Sequence, residues 1–462
     1  MARDGADRLV LVTMSSEIHI KSSRTRTRFI RILGHNLAAA LRPVDPGARI
    51  VRQWDRIYIE DASPAAIDGV ASAAARVFGV KRAQVVRRLP MAPLDRLAAT
   101  IAGLTRQRVE GRSFAVRVRR RGRHPWTSVD AEREIGRLLL PHAARVDLTH
   151  PETEVQVHAH ESHAYVVEQS VEGPDGLPMG VGGRVLVLLS GGFDSAVAAW
   201  MMMRRGLRVD FLHFRIDCAQ SEHALTVGHE LCRHWAHGRR SLMHVIDFQP
   251  VKEALQRDVP SRVRQVVLKQ LMVATATRVA GREGHLGLVT GESLGQVSSQ
   301  TIEHLAAIDR HADRTILRPL AGMTKQEIIA WARVIGTHDL SARAQEVCDL
   351  ADGPVAVAAR AAELQRAHAR LPEHLVEQAL ESLGVVTVSD WIPGVALVPV
   401  VSAPPVDVPL VRVDTRDPIP VDGPVALTGQ RAPHIASRLR TQGREVWVVD
   451  RNGDRDGDRE AG

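Results

Sequence analysis

The chain has 462 residues, enough for about three or four domains of ordinary size, and its 44% apolar content argues against a disordered chain. A formal net charge of +8, carried mostly by arginine, suits a polyanionic partner, either nucleic acid or an anionic surface. No apolar run approaches the roughly 18 residues of a membrane span, residues 1–5 carry charges where a signal peptide would turn apolar, and Cys218, Cys232 and Cys348 are too scattered for a disulfide framework or a CxxC site. A cytoplasmic protein with no membrane partner is the expectation.

Residues 9–13 read as a strand, and Phe29, Ile30, Ile32, Leu33, Leu37 and Leu41 recur at helical spacing within 26–41. A second strand at 51–59 and a second helix at 64–78 complete the pattern of a small α+β unit of ferredoxin-like type. In 113–124, Phe114, Val116 and Val118 alternate with Ala115, Arg117 and Arg119. This predicts a strand with one apolar and one basic face, exiting in Arg120, Arg121 and Arg123. Ser128 is the expected N-cap of a helix running through Leu140, with Asp130 and Glu132 in its first turn. Residues 154–160 and 164–167 read as a strand pair.

Residues 184–189 form an apolar run that ends in Ser190-Gly191-Gly192-Phe193-Asp194-Ser195 and continues into a helix-like segment. Paired glycines let the backbone approach an anion, and the free N–H groups and dipole of a helix start favour negative charge. The lysine of a GxxxxGK[ST] loop is missing, so this is not a Walker A turn. Residues 209–214 read as the next strand, with His213 and Phe214 at its end. Ligands of open parallel α/β sheets sit at the carboxyl ends of strands, where Leu188, Leu189, His213 and Phe214 are expected to frame a bound group. A helix over 263–279 carries Lys269. A strand over 286–290 leads into Gly291-Glu292-Ser293-Leu294-Gly295-Gln296-Val297-Ser298-Ser299-Gln300-Thr301, where Gly291 permits close backbone approach and Gln300 offers a polar edge. Asp194 suits Mg²⁺, which takes carboxylate and phosphate oxygens. Lys325 lies near a helix start. Cys348 is flanked by Glu346 and Asp349, whose charge raises a thiol pKa unless something offsets it; Cys218 and Cys232 read as ordinary semi-buried thiols. After a Pro- and Val-rich stretch at 391–407, residues 409–416 read as a strand and 433–442 as a helix, and the charged tail beyond Asp450 has the composition of disorder.

The string SGGFDS resembles the PP-loop of the ATP pyrophosphatase family, enzymes that cut ATP between its α- and β-phosphates. Residues 116–136, VRVRRRGRHPWTSVDAEREIG, are similar to the THUMP domain of the tRNA 4-thiouridine synthetases, the thiamine-biosynthesis sulfurtransferase family, and GESLGQVSSQT looks like that family too. The resemblance runs from about residue 9 to about residue 360. It implies a multidomain α/β and α+β chain. In order come a ferredoxin-like domain at 1–64, a THUMP RNA-binding domain at 65–172, a PP-loop α/β domain with a parallel sheet at 173–386, and a degenerate rhodanese-like segment with its tail at 387–462. The last part lacks the second cysteine of longer family members, since none follows Cys348.

The resemblance also implies site roles. Leu188, Leu189, Ser190, Gly191, Gly192, Ser195, His213, Phe214, Lys269, Gly291 and Gln300 would bind ATP. Asp194, Lys325 and Cys348 would be catalytic, with Mg²⁺ on Asp194, and Arg117, Arg119, Arg120, Arg121 and Arg123 would contact tRNA. Gln270 and Ala274 stand where family members carry further arginines. The implied reaction is adenylation of O4 of a tRNA uridine, at position eight, followed by sulfur transfer through Cys348 to give 4-thiouridine. A cysteine desulfurase is the implied sulfur donor, a homodimer the implied assembly, and sulfur supply to thiamine thiazole synthesis an additional role. Two other readings stay open: a tRNA-binding or sulfur-relay protein without modification activity, and a different PP-loop ligase, against which the THUMP-like stretch argues.

Overall fold

The structure, a computed structural model, describes residues 7–53, 56–216, 218–344, 350, 358–391, 397–401, 405, 407–413, 418–428 and 432–449, without the side chains of 218–221 and 390. They belong to two compact units, Met1–Pro178 and Met179–Gly462.

The first unit runs β1 (Asp7–Met14), α1 (Ser16–His19), α2 (Ser23–Leu41), β2 (Arg49–Arg52), β3 (Ile57–Glu60), α3 (Ile67–Ala74), β4 (Val80–Pro90), α4 (Leu94–Val109), β5 (Ser113–Arg120), α5 (Ser128–Leu139), β6 (Arg145–Val146), β7 (Thr153–Ala159) and β8 (His163–Glu172). Among the described residues its strands make one sheet in the order β2-β3-β1-β4-β8-β7-β5-β6. The ferredoxin-like part and the THUMP-like part therefore share a sheet. Strand β4 joins them, pairing antiparallel with β1 on one side and β8 on the other. Leu9, Leu11, Tyr58, Val86, Tyr165 and Val167 form one buried cluster across that join. In β5 the expected alternation holds: Phe114, Val116 and Val118 enter a core with Leu97, Ile101 and Ile135, while Arg119 and Arg120 are exposed.

Two local expectations change. The strand expected at 51–59 is the hairpin β2–β3, because polar Arg52 and Gln53 interrupt the apolar alternation and Gln53 N–H donates to Arg56 O at 2.8 Å. The N-cap of α5 is Thr127 and not Ser128. Thr127 Oγ1 accepts from Asp130 N–H at 3.2 Å while Asp130 Oδ2 accepts from Thr127 N–H at 2.8 Å, a reciprocal capping box that satisfies two free donors.

The second unit runs β9 (Arg184–Leu188), α6 (Phe193–Arg204), β10 (Arg208–Arg215), α7 (Cys218–Trp235), β11 (Leu242–Asp247), α8 (Gln249–Asp258), α9 (Ser261–Glu283), β12 (Gly287–Val289), α10 (Ile302–Asp309), β13 (Thr315–Leu317), α11 (Lys325–Ile335), α12 (His338–Ser341), α13 (Ala361–His368), α14 (Leu375–Glu381), β14 (Gly384–Thr387), β15 (Val398–Val401), β16 (Leu410–Arg412), β17 (Val425–Thr428), α15 (Ala432–Thr441) and β18 (Val446–Val449). Its sheet has the order β13-β12-β9-β10-β11-β14-β15-β18-β17-β16 among the described residues. Strands β13, β12, β9, β10 and β11 are parallel, as the βαβ pattern requires. Strand β9 is the switch point: the chain leaves it toward β10, and β12 pairs on its other side.

Helix α6 is apolar almost all round. Trp200 is 1% exposed and packs edge-on against Trp235 at 5.4 Å and in a tilted arrangement against Trp331 at 5.1 Å. That burial locks the helix whose first turn carries Asp194. The strand expected near 409–416 is β16, and the helix expected at 433–442 is α15. Strand β16 lies at the end of the sheet of the parallel domain, reached through β14, which is antiparallel to β11 and β15, and α15 packs its Ala432, Ala436 and Leu439 into the cluster with Val385 of β14.

Candidate active site

The glycine turn after β9 is clipped by two serines. Ser190 N–H donates to Ser195 Oγ at 3.2 Å, Gly192 N–H to Ser190 Oγ at 3.4 Å, and Ser195 Oγ–H to Gly192 O at 3.3 Å. Gly191 takes φ +86°, and an added Cβ would lie 2.8 Å from His223 Cδ2 and 3.2 Å from Ala224 Cα. Only glycine meets both demands. Gly192 is the N-cap of α6 and has no side-chain cap, so the first-turn N–H groups present an anion-binding helix end.

The loop after β12 lies directly against this turn. A Cβ on Gly291 would stand 2.7 Å from both Asp194 C and Ser195 N, so the close approach that Gly291 permits is between the two loops. Asp194 is then gripped from both sides. Lys325 Nζ donates to its Oδ1 at 2.7 Å and Gln296 Nε2 to its Oδ2 at 3.0 Å. Lys325 is the first residue of α11, set by a capping box between Thr324 and Glu327, and its ammonium lies 5.6 Å from the Phe193 ring centroid.

Four expected nucleotide residues divide between the two faces of the sheet. Phe214 packs at 4.5 Å on Phe248, within the core that Leu188 flanks. His213 turns the other way and donates from Nδ1 to Leu189 O at 2.9 Å. With the proton on Nδ1, its Nε2 is an acceptor, buried and without a partner; burial lowers the imidazole pKa, so the ring is neutral. Gln296 Oε1 and Gln300 Oε1 are likewise buried without partners. Three orphaned acceptors near the carboxyl ends of β10 and β12 suit a ligand rich in N–H and O–H donors, as a nucleoside is.

Lys269 is joined by two residues that the sequence did not single out for the site. Glu292, 8% exposed, accepts from Lys269 Nζ at 3.2 Å, from Arg318 Nε at 2.7 Å and from Thr290 Oγ1 at 2.9 Å. Burial pushes the Glu292 carboxyl up, but Lys269 and Arg318 outweigh it and hold the group below the usual carboxylate range. Arg318 also donates to Asp309 at 3.0 Å. The lysine's charge is thus already countered by a carboxylate, and the signal available in the sequence was an acidic residue directly after Gly291. Gln270 faces elsewhere: its Nε2 donates to Ala307 O at 3.1 Å and its Oε1 accepts from His368 Nε2 at 2.8 Å.

Asp194 fits Mg²⁺ as a lone carboxylate ligand beside phosphate oxygens and water, and among the described residues no group of three or more His, Cys, Asp or Glu could hold a metal ion on protein ligands alone. Burial pushes the Cys232 thiol up to about 12, so it is inert near neutral pH. Cys348 lies outside the described residues, as does the side chain of Cys218.

In the first unit a cavity of about 310 Å³ is lined by Arg56, Lys81, Arg82, Arg119, Arg120 and Arg121, with Gln84 and His158 also in its wall. His158 is 7% exposed and donates from Nε2 to Gln84 Oε1 at 3.1 Å. Burial first, then Arg56 and Arg119, push its pKa down to about 4. Of the five expected RNA-binding arginines, Arg119, Arg120 and Arg121 converge here. Arg123 is exposed outside the cavity, and Arg117 bonds Leu148 O and lies 3.7 Å from Glu154.

A parallel sheet with a serine-clipped glycine turn at its switch point, an uncapped helix start and a lysine-bound aspartate defines a PP-loop nucleotide domain, here in the same chain as a basic THUMP-like sheet. Family models match in three places: the ThiI ferredoxin-like domain at 9–83, the THUMP domain at 92–167 and the thiamine biosynthesis protein ThiI at 180–371. A tRNA sulfurtransferase of Desulfurococcus amylolyticus is 38% identical over 381 residues, 82% of this chain and 78% of that protein. One of Erwinia tasmaniensis is 35% identical over 374 residues, 80% of this chain and 78% of the other. The chain belongs to the tRNA sulfurtransferase family of enzymes. Its fold matches a crystal structure of a 4-thiouridine synthetase–RNA complex with bound ATP at a TM-score of 0.70 and 24% identity, over 82% of this chain and 99% of that one. No helix among the described residues is long and apolar enough to cross a membrane.

Proposed function

We propose that the chain uses ATP to convert a tRNA uridine, at position eight, to 4-thiouridine. The observation that carries this reading is Asp194, held between Lys325 and Gln296 at the start of α6 beside the glycine turn. O4 of the uridine attacks the α-phosphorus of ATP, a P–O bond breaks and pyrophosphate leaves. An oxo group is a poor leaving group and AMP a good one, which is the purpose of the step. Mg²⁺ on Asp194 would neutralise the departing pyrophosphate. The uncapped N–H groups of α6 receive phosphate oxygens, and Lys325 stabilises charge on the pentavalent phosphorus. His213, Gln300 and Leu189 bound the nucleoside end.

Sulfur then arrives as a persulfide on Cys348, loaded by a cysteine desulfurase. The terminal sulfur attacks C4, AMP leaves, and a disulfide joins Cys348 to the base. A second thiol must attack Cys348 Sγ to release 4-thiouridine. Cys218, the desulfurase and a small-molecule reductant are the sources of that thiol in this reading. Arg119, Arg120 and Arg121 hold RNA phosphate, with Arg123 as an outlying contact. The reading extends to a cytoplasmic homodimer, to sulfur supply for thiamine thiazole, and to a rhodanese-like ancestry for 387–462.

The test is Cys348→Ser, assayed for 4-thiouridine with sulfide and with a desulfurase. Loss of desulfurase-dependent product supports the assignment; full turnover with both sulfur sources overturns it. Intact tRNA binding with no product from the unaltered protein, ATP and either sulfur source would favour a binding or relay protein.

A further inference from the structure

The loop between β12 and α10 is pinned at its back and apolar at its tip. Ser293 Oγ–H donates to Met323 O at 2.7 Å and Leu294 N–H to Ala321 O at 3.1 Å. Farther on, Gly295 N–H donates to Gln300 O at 3.0 Å and Gln300 N–H to Val297 O at 2.9 Å, and Gly295 reverses the chain with φ +74°. Held in this way, the loop leaves Leu294 and Val297 each 49% exposed, and Ile302 at the start of α10 is 64% exposed. Turning Leu294 or Val297 inward would break that backbone frame, so the loop keeps both in water at a cost.

The same loop reaches the aspartate of the glycine turn. Gln296, between the two apolar residues in sequence, donates from Nε2 to Asp194 Oδ2 at 3.0 Å, and Gly291 stands against the backbone of Asp194 and Ser195. Neighbouring Cα atoms are about 3.8 Å apart, so the Leu294 and Val297 backbones lie within about 8 Å of the residue that holds Asp194. Phe193, directly before Asp194, adds a half-buried ring whose centroid is 5.6 Å from the Lys325 ammonium and 5.6 Å from the His338 ring. Asp194 is thus edged with apolar groups that contacts to phosphate do not account for.

We infer that Leu294 and Val297 form a wedge that enters the tRNA stack as the target uridine leaves it. The inference rests on the proposed adenylation of that uridine. For O4 to attack the α-phosphorus, the base must bring its C4–O4 edge to the carboxyl ends of β9 and β12, and a base stacked within folded RNA presents that edge only after it has swung out. The gap left behind takes apolar side chains, which replace the lost stacking contact without leaving a polar group unpaired. Arginine or lysine at the loop tip would suit phosphate and not a base face. Three partly exposed side chains also fall far short of the roughly 800 Å² per partner that a stable protein interface buries, which favours a base over a second copy of the chain. Because one loop carries both the wedge and the Gln296 grip on Asp194, opening the stack and ordering the carboxylate are one event.

The test uses the full chain and reads tRNA-dependent pyrophosphate release in single turnover, which reports adenylation and not the sulfur carrier. Two substrates are compared: intact tRNA, and the same tRNA with abasic residues in place of the nucleotides stacked on the target uridine. In the double variant Leu294→Ser, Val297→Ser, release is expected to slow about tenfold to a hundredfold on intact tRNA, and to stay within about threefold of the unaltered protein on the abasic tRNA, where no stack has to be opened. A fluorescent purine beside the target uridine should brighten when the unaltered protein binds with α,β-methylene ATP and stay dim with the double variant. Leu294→Met combined with Val297→Ile should behave as the unaltered protein. Unchanged release on intact tRNA, or equal loss on both substrates, overturns the inference; equal loss together with altered sedimentation would give the apolar rim to a second copy of the chain. Thermal melts identify folded variants, and the two single Ser substitutions decide the outcome if the double variant does not fold. If the unaltered protein releases no tRNA-dependent pyrophosphate from either substrate, the adenylation reading falls and takes the wedge with it, a result distinct from a defect confined to the variants.

Discussion

Lys325 Nζ meets Asp194 Oδ1 at 2.7 Å across 131 positions of sequence, joining the first turns of α11 and α6. The lysine side chain is 43% exposed, so the pair adds under about 1 kcal/mol to stability. In the proposed reaction its importance is chemical: it sets a cation beside the carboxylate in the first turn of α6. Lys325→Met is expected to lower kcat for tRNA-dependent AMP formation about a hundredfold to a thousandfold with a small change in melting temperature. A loss below tenfold would remove Lys325 from the chemistry.

Gly291 allows the two site loops to touch. The Cβ of Gly291→Ala would sit 2.7 Å from the backbone of Asp194 and Ser195, where no flexible side-chain end can yield. The substitution is expected to cost about 1–3 kcal/mol and to raise KM for ATP as the glycine turn shifts. Unchanged melting and ATP kinetics together would show that the loops part without penalty.

His158 gives the first unit an acid-sensitive wall. Its folded pKa, about 4, lies below the ordinary 6.5. The unfolded chain therefore binds the proton first, and stability falls as pH drops from 6.5 toward 4. The shift corresponds to a loss on the order of 3 kcal/mol. Urea melts at pH 7 and pH 4.5 should separate the unaltered protein from His158→Gln, which keeps an acceptor and a donor but does not titrate. An equal fall in both proteins would place the acid sensitivity elsewhere.

Arg119, Arg120 and Arg121 line one cavity, which Arg117 does not: Arg117 bonds Leu148 O and lies 3.7 Å from Glu154, while Arg120 donates to Trp126 O at 2.5 Å from within the cavity wall. Converting the three to Gln should weaken tRNA binding and reduce the slope of log affinity against log salt by about 0.7–0.9 for each phosphate no longer neutralised. Arg117→Gln should leave the slope unchanged. A slope that moves with Arg117 and not with the cavity arginines would reverse the assignment.

Much of this was legible from residue order alone. Alternation in 113–119 gave the apolar and basic faces of β5 because a strand has a period of two, and SGGFDS marked the tight turn from β9 into α6 because paired glycines after an apolar run suit such a turn. The site's electrostatics were less legible. Lys269 could be singled out, but its pairing with Glu292, and Arg318 beside it, depends on three segments meeting at the ends of β12 and β13, which no local pattern encodes. Thr127 displaced Ser128 as a cap because the reciprocal bond with Asp130 decides between adjacent candidates. The hairpin β2–β3 was hidden because polar Arg52 and Gln53 sit inside an apolar-looking window.

Strands β15, β18, β17 and β16 continue the sheet of the nucleotide domain, and Leu242 of β11 shares a buried cluster with Val385, Val398, Val425 and Leu439. The far end of the chain is therefore a bumper on that sheet. A protein trimmed after residue 391 would bare the hydrogen-bonding margin of β14 along with the apolar face of Val385, the kind of sticky border that recruits other strands. By covering that border the C-terminal strands protect the nucleotide domain, which gives the segment a structural purpose of its own.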